Sequence, residues 1–218
     1  MDVKVTLHFE KGYIAHPYWP QRERVINIQK VSGMNRAKSE AKRADALNAH
    51  LKTLDMTREQ YDQLLGQADR QFYTVQDQRA AVNGHQPDEI VIPAHQMYGC
   101  LAQGADQCPS RMRIAQLDQI RSVISLSDFY TGKEKRDGAW ERFATVTGGT
   151  GQKLSNQRAL RCNDYIANFD ATGQVHYTGE DEQKLRDFLD WVGREVGVGA
   201  SRKMDWGRFT ISDWALLS

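Results

Sequence analysis

Cysteine, proline and net charge are all scarce in this sequence. Its 218 residues contain three cysteines and five prolines, and the formal net charge is +1. Cys100, Cys108 and Cys162 form no CxxC pair, and an odd number of cysteines argues against a disulfide framework. The near-neutral charge excludes a bulk polycation that would coat nucleic acid non-specifically.

Long apolar runs and a targeting segment are also missing. No run approaches the roughly 18 consecutive apolar residues that a membrane span requires. The first ten residues, MDVKVTLHFE, alternate polar and apolar side chains, whereas a signal peptide has a charged region followed by an apolar one. Apolar residues still make up 40% of the chain, which is enough for a globular core. We therefore expect a cytoplasmic protein without a membrane partner.

The hydrophobic periodicity predicts a mixture of strands and helices. Val3, Val5, Leu7 and Phe9 alternate with polar residues, which is typical of a half-buried strand. Amphipathic helices are predicted after Pro93 and over 180–196. The remaining predicted strands are 25–28, 71–75, 90–92, 122–126, 140–146, 161–169, 174–177 and 208–212, with the DATG of 170–173 as a hairpin turn and 147–157 as a glycine-rich loop. This order predicts an α+β fold: a ferredoxin-like or RRM-like antiparallel sheet with two packing helices and a helical insertion.

The predicted insertion is the polar, alanine-rich stretch 34–66. Leu47, Leu51 and Leu54 are spaced three or four residues apart, which favours a helix. Thr57 followed by Gln60 has the pattern of a capping box at the start of the next helix. We therefore divide the chain into an RRM-like core, residues 1–33 and 67–218, and a helical insertion, residues 34–66.

Basic residues cluster in two parts of the near-neutral chain. Residues 21–43 carry seven Lys or Arg against two acids, and the loop near the end of the sequence carries Arg202, Lys203 and Arg208 against Asp205. Local basic zones on a neutral protein suit a groove for a polyanion. A solvated helix surface would show the same charge run, so both interpretations stay open for 21–43.

The segment GVGASRKMDWGRFTI, residues 197–211, follows a predicted amphipathic helix and leads into a predicted strand. It resembles the C-terminal glycine-rich loop of the RAMP superfamily, the RNA-binding subunits of CRISPR effector complexes. The matching positions are Gly197, Gly199, Arg202, Lys203, Trp206, Gly207, Arg208 and Phe209. A weaker match, EIVIPAHQMYGCLAQGA at 89–105, is similar to the strand-Ile-Pro-helix segment of the superfamily's backbone-type subunits.

The resemblance implies a guide-RNA-binding subunit of a CRISPR ribonucleoprotein complex in antiviral defence. Such a subunit holds the backbone of the guide, alone or paired with its target, without reading sequence, and it contacts other effector subunits. Glycines let the chain approach a phosphate closely, cations neutralise it, and Trp206 is suited either to stack on a base or to anchor the loop in the core. The predicted RNA-binding residues are Arg22, Arg24, Lys30, Arg36, Lys38, Gly197, Gly199, Arg202, Lys203, Trp206 and Arg208.

Two alternatives stay open at this point. The first is a metal-independent guide-RNA-processing endoribonuclease of the same superfamily, with His16 or His8 as general base on a ribose 2′-hydroxyl. No Tyr or Lys partner lies at a telling spacing, so no catalytic residue is assigned. The second is a viral or assembly protein that mimics such a subunit and binds protein partners, which the near-neutral charge favours. We predict no cofactor and no metal site, because the histidines and cysteines lack ligand spacing and TGGTGQKLSNQ lacks the end of a P-loop.

Overall fold

The computed structural model describes residues 1–15, 20–68, 72–77, 84–147 and 153–217. The chain forms two compact units, one from Met1–His16 with Phe72–Ser218 and the other from Pro17–Gln71. Over the described residues the helices are α1 (Pro20–Val31), α2 (Glu40–Thr53), α3 (Arg58–Ala68), α4 (Ala94–Gln107), α5 (Ile120–Val123) and α6 (Glu182–Glu195). The strands are β1 (Asp2–Phe9), β2 (Tyr13–Ile14), β3 (Tyr73–Thr74), β4 (Ile90–Ile92), β5 (Ile124–Leu126), β6 (Phe129–Tyr130), β7 (Gly138–Thr147), β8 (Lys153–Ile166), β9 (Phe169–Tyr177) and β10 (Thr210–Leu217). Within those ranges, none of the helices combines the length and the apolar character needed to cross a membrane.

The larger unit is built on an antiparallel sheet. Its strands lie in the order β10-β1-β9-β6-β4-β3, and β5 also pairs with β9. Val5 in the centre of β1 is in register with Trp214 on one side and Gly173 on the other. The alternate residues of β1 that the periodicity singled out are buried in one core with the apolar sides of α4 and α6.

The chain order of these elements confirms the predicted fold class. β1, α4, β5, β9, α6 and β10 alternate as β-α-β-β-α-β, and the four strands lie in the order β10-β1-β9-β5. This is the ferredoxin-like arrangement, an antiparallel sheet with two helices packed on one face. The opposite face of the sheet is left uncovered by α4 and α6.

A second, smaller sheet joins β2, β8 and β7 in that order. The hairpin of β7 and β8 is long, with pairs running from Gly138 and Tyr165 at its base to Thr147 and Lys153. Part of the glycine-rich run predicted as a loop is therefore strand, from Lys153 onward, while 148–152 lie outside the described residues.

The smaller unit consists of α1, α2 and α3. Val25 and Ile28 of α1 pack with Leu47, Leu51 and Tyr61 in a core of their own. The predicted capping box is present: the Thr57 backbone N–H donates to Gln60 Oε1 at 2.9 Å, and the Gln60 N–H donates to Thr57 Oγ1 at 3.2 Å.

The local predictions for 25–28 and for the DATG turn are wrong. Residues 25–28 are helical and not a strand, because Val25 and Ile28 are buried three positions apart while Ile26 between them is 53% exposed. The DATG segment lies inside β9, and the chain turns earlier, where Asn168 has a φ of 46°. Gly173 fits a strand here because a Cβ would lie 2.8 Å from the Phe129 ring, so the glycine makes room for packing and not for a turn.

Candidate nucleic-acid interface

The glycine-rich loop joins the end of α6 to β10 and has an unusual backbone. Gly197, Gly199 and Gly207 have φ angles of 71°, 82° and 74°, and Ser201 and Asp205 have 61° and 64°. These angles fall in the left-handed region, which glycine adopts without steric cost. The chain therefore changes direction repeatedly along the loop, and its glycines are needed because they adopt these φ angles without strain.

The glycines also allow close backbone packing. A Cβ on Gly197 would lie 2.8 Å from the carbonyl oxygen of Gly207, and one on Gly207 would overlap the carbonyl of Val198. A Cβ on Gly199 would lie 2.6 Å from the Tyr13 ring. The loop is thus pressed against itself and against the segment that follows β1, and its glycines serve this packing directly.

Three hydrogen bonds join the loop to the segment after β1, and a fourth joins two residues of the loop to each other. The N–H of Ala200 donates to Ile14 O at 2.8 Å and that of Gly207 to Gly12 O at 2.8 Å. The N–H of Val198 donates to Gly207 O at 2.9 Å, and Lys11 Nζ donates to Met204 O at 2.6 Å. The two segments therefore form one surface, made from the turn after β1 and the glycine-rich loop.

Trp206 holds this surface on the fold. It is 8% exposed, and its ring centroid lies 5.1 Å from Tyr165 and 5.9 Å from Trp140. Lys11 Nζ lies 5.7 Å from the same ring, in a cation–π arrangement. Of the two roles that the sequence left open for Trp206, the geometry favours the anchor, because the ring is covered and offers no open face to a base.

Arg208 is the most distinctive group of the site. Its Nε and Nη1 atoms are buried and have no hydrogen-bond partner among the described residues. The side chain lines a cavity of about 310 Å³, and the other described residues around that cavity are His8, Glu10, Lys11, Arg194, Asp205, Phe209 and Thr210. The guanidinium of the half-buried Arg208 lies beside Lys11 and Arg194 at this cavity, which is therefore suited to an anion.

Arg202 and Lys203 lie on the same loop in different settings. Arg202 is half-buried, and its Nη1 donates to Gln103 Oε1 on α4 at 2.8 Å. Lys203 is exposed. Arg202 therefore fixes the loop to the helix with part of its guanidinium, whereas Lys203 is free to reach a ligand in solvent.

Cys100 of α4 lies beneath this loop. Burial raises the pKa of the Cys100 thiol to about 12, and the nearby positive charges of Arg202 and Arg208 lower it only in part. On the same face of α4, Gln96 Oε1 accepts a hydrogen bond of 2.6 Å from the hydroxyl of Tyr13. Burial also raises the pKa of Tyr13 above its usual range, so this hydroxyl stays protonated as a donor.

The basic residues of 21–43 belong to the smaller unit. Arg24 and Lys30 are exposed on α1, and Arg36 and Lys38 are exposed between α1 and α2. The side chain of Arg22 lies outside the described residues. The assignment of these five residues to RNA binding stays a prediction.

The uncovered face of the main sheet is polar and differs from the loop surface. Cross-strand pairs between β1 and β9 follow one another along it: Asp2 with His176, Lys4 with Gln174, Thr6 with Thr172, and His8 with Asp170. The two His–Asp pairs have Nδ1 to Oδ1 distances of 2.8 and 2.9 Å, and the two threonine hydroxyls lie 3.0 Å apart. Asp213 of β10 is in register with Thr6, so it lies on this face together with Asp2 and Asp170. Among these paired residues, three acids stand against one lysine, Lys4.

A second cavity, of about 580 Å³, opens on that face between β9 and β6. Lys4, His85, Ser127, Tyr130, Thr172, Gly173 and Gln174 line it. His85 lies before β4 and stacks on Tyr130, with ring centroids 3.8 Å apart and planes 21° from parallel. Its Nδ1 is 2.7 Å from Oε2 of Glu89, a carboxylate that is 7% exposed.

Of the two histidines proposed for catalysis, the structure describes one. His8 lines the cavity of Arg208, with its Nδ1 on Asp170, and His16 lies outside the described residues. Across the part of the chain that the structure describes, no group of three His, Cys, Asp or Glu residues is arranged to hold a metal ion.

Sequence reasoning missed three features of these surfaces. Lys11 and Arg194 share the cavity of Arg208, and the pair of His85 with Glu89 borders the other cavity. A basic residue in the last turn of α6, directly before the glycine-rich loop, is a signal that could have indicated Arg194. The i,i+4 spacing in HQPDE is common in turns and would not by itself have indicated a site.

Comparisons with known proteins give a structural likeness and no match in sequence. No family model and no curated protein matches the chain. Among solved structures, the chain is similar to one in a cryo-EM structure of the Type III-B Cmr-beta bound to cognate target RNA, with a TM-score of 0.49 and 10% identity. The alignment covers 100% of this chain and 60% of the other, so this chain spans about three fifths of that length. At this degree of similarity, the function has to be argued from the geometry of the site.

Proposed function

We propose that the chain is a guide-RNA-binding subunit of a CRISPR effector complex, which holds the RNA backbone at the glycine-rich loop and the turn after β1. The observation that carries the proposal is the Arg208 guanidinium at a cavity that it shares with Lys11 and Arg194. Phosphodiester oxygens are acceptors of the size and charge that such a guanidinium binds best. The resemblance of 197–211 to the RAMP loop supplies the identity of the polyanion.

The setting of the cavity supports backbone contact without sequence reading. The positive groups lie beside Glu10 and Asp205, so the local field is only moderately positive. Trp206 is buried, and therefore base stacking at this position does not contribute. We expect binding that depends on salt and is similar for different sequences.

The test is the affinity of Arg208→Gln for a fluorescein-labelled oligouridine, followed by anisotropy over a range of salt concentrations. We expect a loss of roughly tenfold and a slope of log K against log salt that is shallower by about 0.7, the value for one lost phosphate contact on a single strand. Arg121→Gln, which removes an exposed charge on α5, is the matched control and should leave both values unchanged. Equal affinity of Arg208→Gln and the wild type would refute the site.

The same material separates the two alternatives. We expect a metal-free incubation with a repeat hairpin RNA to leave the RNA intact. Cleavage that disappears in His8→Ala would instead favour the endoribonuclease, because His8 borders the cavity. Purified protein without bound RNA and without measurable RNA affinity would favour the assembly protein that binds only protein partners.

A further inference from the structure

The proposed loop site offers no basis for distinguishing RNA from DNA. Phosphate contacts at Arg208 and Lys11 would bind either strand, since both have the same backbone charge. A protein distinguishes the two through the ribose 2′-hydroxyl, which donates and accepts hydrogen bonds. A chain that binds RNA in preference to DNA would need a sugar-reading group elsewhere on its surface.

His85 has the geometry of a fixed hydrogen-bond acceptor. An ionised carboxylate only accepts, so the 2.7 Å contact with Glu89 Oε2 places the proton on His85 Nδ1. Glu89 is itself held, because its Oε1 accepts from the Gly132 N–H at 2.8 Å. The stack on Tyr130 fixes the plane of the imidazole. In the neutral imidazole, Nε2 is then the nitrogen with a lone pair, and within the described ranges no partner occupies it.

The cavity beside His85 has room for one nucleotide. Its volume is about 580 Å³, and the described residues that line it include Lys4 and the polar side chains of Ser127, Thr172 and Gln174. Asp2, Asp170 and Asp213 elsewhere on the same face would repel a longer run of phosphates. A single ribose with one phosphate fits this distribution, with the phosphate at Lys4 and the hydroxyl at His85.

We propose that the cavity on the uncovered sheet face is a ribonucleotide subsite, in which His85 Nε2 accepts the hydrogen bond of a ribose 2′-hydroxyl and Lys4 contacts the adjacent phosphate. Glu89 is a positioning residue that holds the imidazole in the accepting tautomer. This inference rests on the proposed function, because it assigns sugar specificity to the RNA bound by the chain. A free mononucleotide presents the same ribose 2′-hydroxyl and phosphate, so it is the other ligand that this cavity could bind.

The binding test compares oligouridine with oligodeoxyuridine of the same length. The wild type should prefer the RNA by about five- to tenfold, the value of one net hydrogen bond. His85→Phe keeps a ring against Tyr130 and removes the acceptor, so it should lose this preference while its affinity for DNA stays unchanged. Arg208→Gln should weaken both strands equally and keep the preference. Failure of the loop site and failure of the sugar site are thereby separable, and an unchanged preference in His85→Phe would overturn the inference.

A spectroscopic test on the wild type covers the case in which His85→Phe does not fold. In protein labelled with ¹⁵N at histidine, the Nε2 resonance of His85 should shift with oligouridine and stay in place with oligodeoxyuridine. Equal shifts with both strands, or none with either, would overturn the assignment. A shift with uridine monophosphate and none with oligouridine would assign the cavity to free nucleotides and overturn its role in binding the RNA strand.

Discussion

Two surfaces of the larger unit, the glycine-rich loop and the uncovered face of the main sheet, differ in how far their charged side chains are removed from solvent. At the glycine-rich loop, backbone is pressed on backbone, Trp206 is buried, and Arg208 keeps two nitrogens away from solvent. On the uncovered face, charged side chains pair across β1 and β9 in solvent. Burial makes the loop sensitive to small changes, whereas exposure makes the sheet face tolerant of them. Small substitutions should therefore lower the free energy of unfolding more at the loop than on the sheet face.

The largest effect is expected for Gly207→Ala. The added Cβ meets the Val198 carbonyl, which is backbone and cannot rotate away, at a φ of 74°. Strain in the left-handed region and overpacking together should lower the free energy of unfolding by about 3 kcal/mol, measured by urea denaturation. Gly132→Ala is the matched control, because Gly132 has a φ of 67° and nothing within 4 Å of the added Cβ. It should cost about 1 kcal/mol from the backbone alone. Equal losses would show that the loop is not tightly packed.

An intermediate effect is expected at Cys100, under the loop. With its pKa raised to about 12 by burial, the native thiol should react with iodoacetamide at pH 8 roughly a thousandfold more slowly than an exposed thiol of pKa about 8.5. The pKa of the Cys100 thiol is higher in the folded chain than in the unfolded chain. Its contribution to the free energy of unfolding is therefore complete below about pH 8.5 and is lost as the pH rises towards 12. Alkylation of the Cys100 peptide is measured by mass spectrometry. In Gly207→Ala, where the loop is loosened, it should be faster. A native rate equal to that in urea would contradict the buried setting.

The smallest effect is expected on the sheet face. Asp170→Asn removes the charge opposite His8, in a pair whose side chains are 57% and 38% exposed. Exposed pairs of this kind contribute little, so the free energy of unfolding should change by less than about 0.5 kcal/mol. Thermal unfolding at low and high salt measures it, and Asp2→Asn at the other His–Asp pair should behave alike. A loss above about 1 kcal/mol would show that these pairs are structural.

The sequence identified the elements whose pattern repeats over enough residues. The period-two alternation of β1 and the amphipathic spacing of α6 predicted these two elements correctly. The capping box at Thr57 was also predicted correctly. Short apolar runs were ambiguous, and 25–28 became helix because the packing of Val25 and Ile28 on Leu47 and Leu51 decided it. DATG has the composition of a turn, yet the ladder between β1 and β9 runs through it.

For the site, the sequence by itself determined the glycine-rich loop, its cations and its position between α6 and β10. Composition and order along the chain contain that much. Only the tertiary structure decided that Trp206 is covered, that Lys11 and Arg194 join Arg208 around one cavity, and that Glu89 fixes His85 beside another. The reason is physical: a contact such as that between Gly199 and Tyr13 joins residues far apart in sequence. Such contacts depend on how the sheet orders its strands, and no local pattern encodes that order.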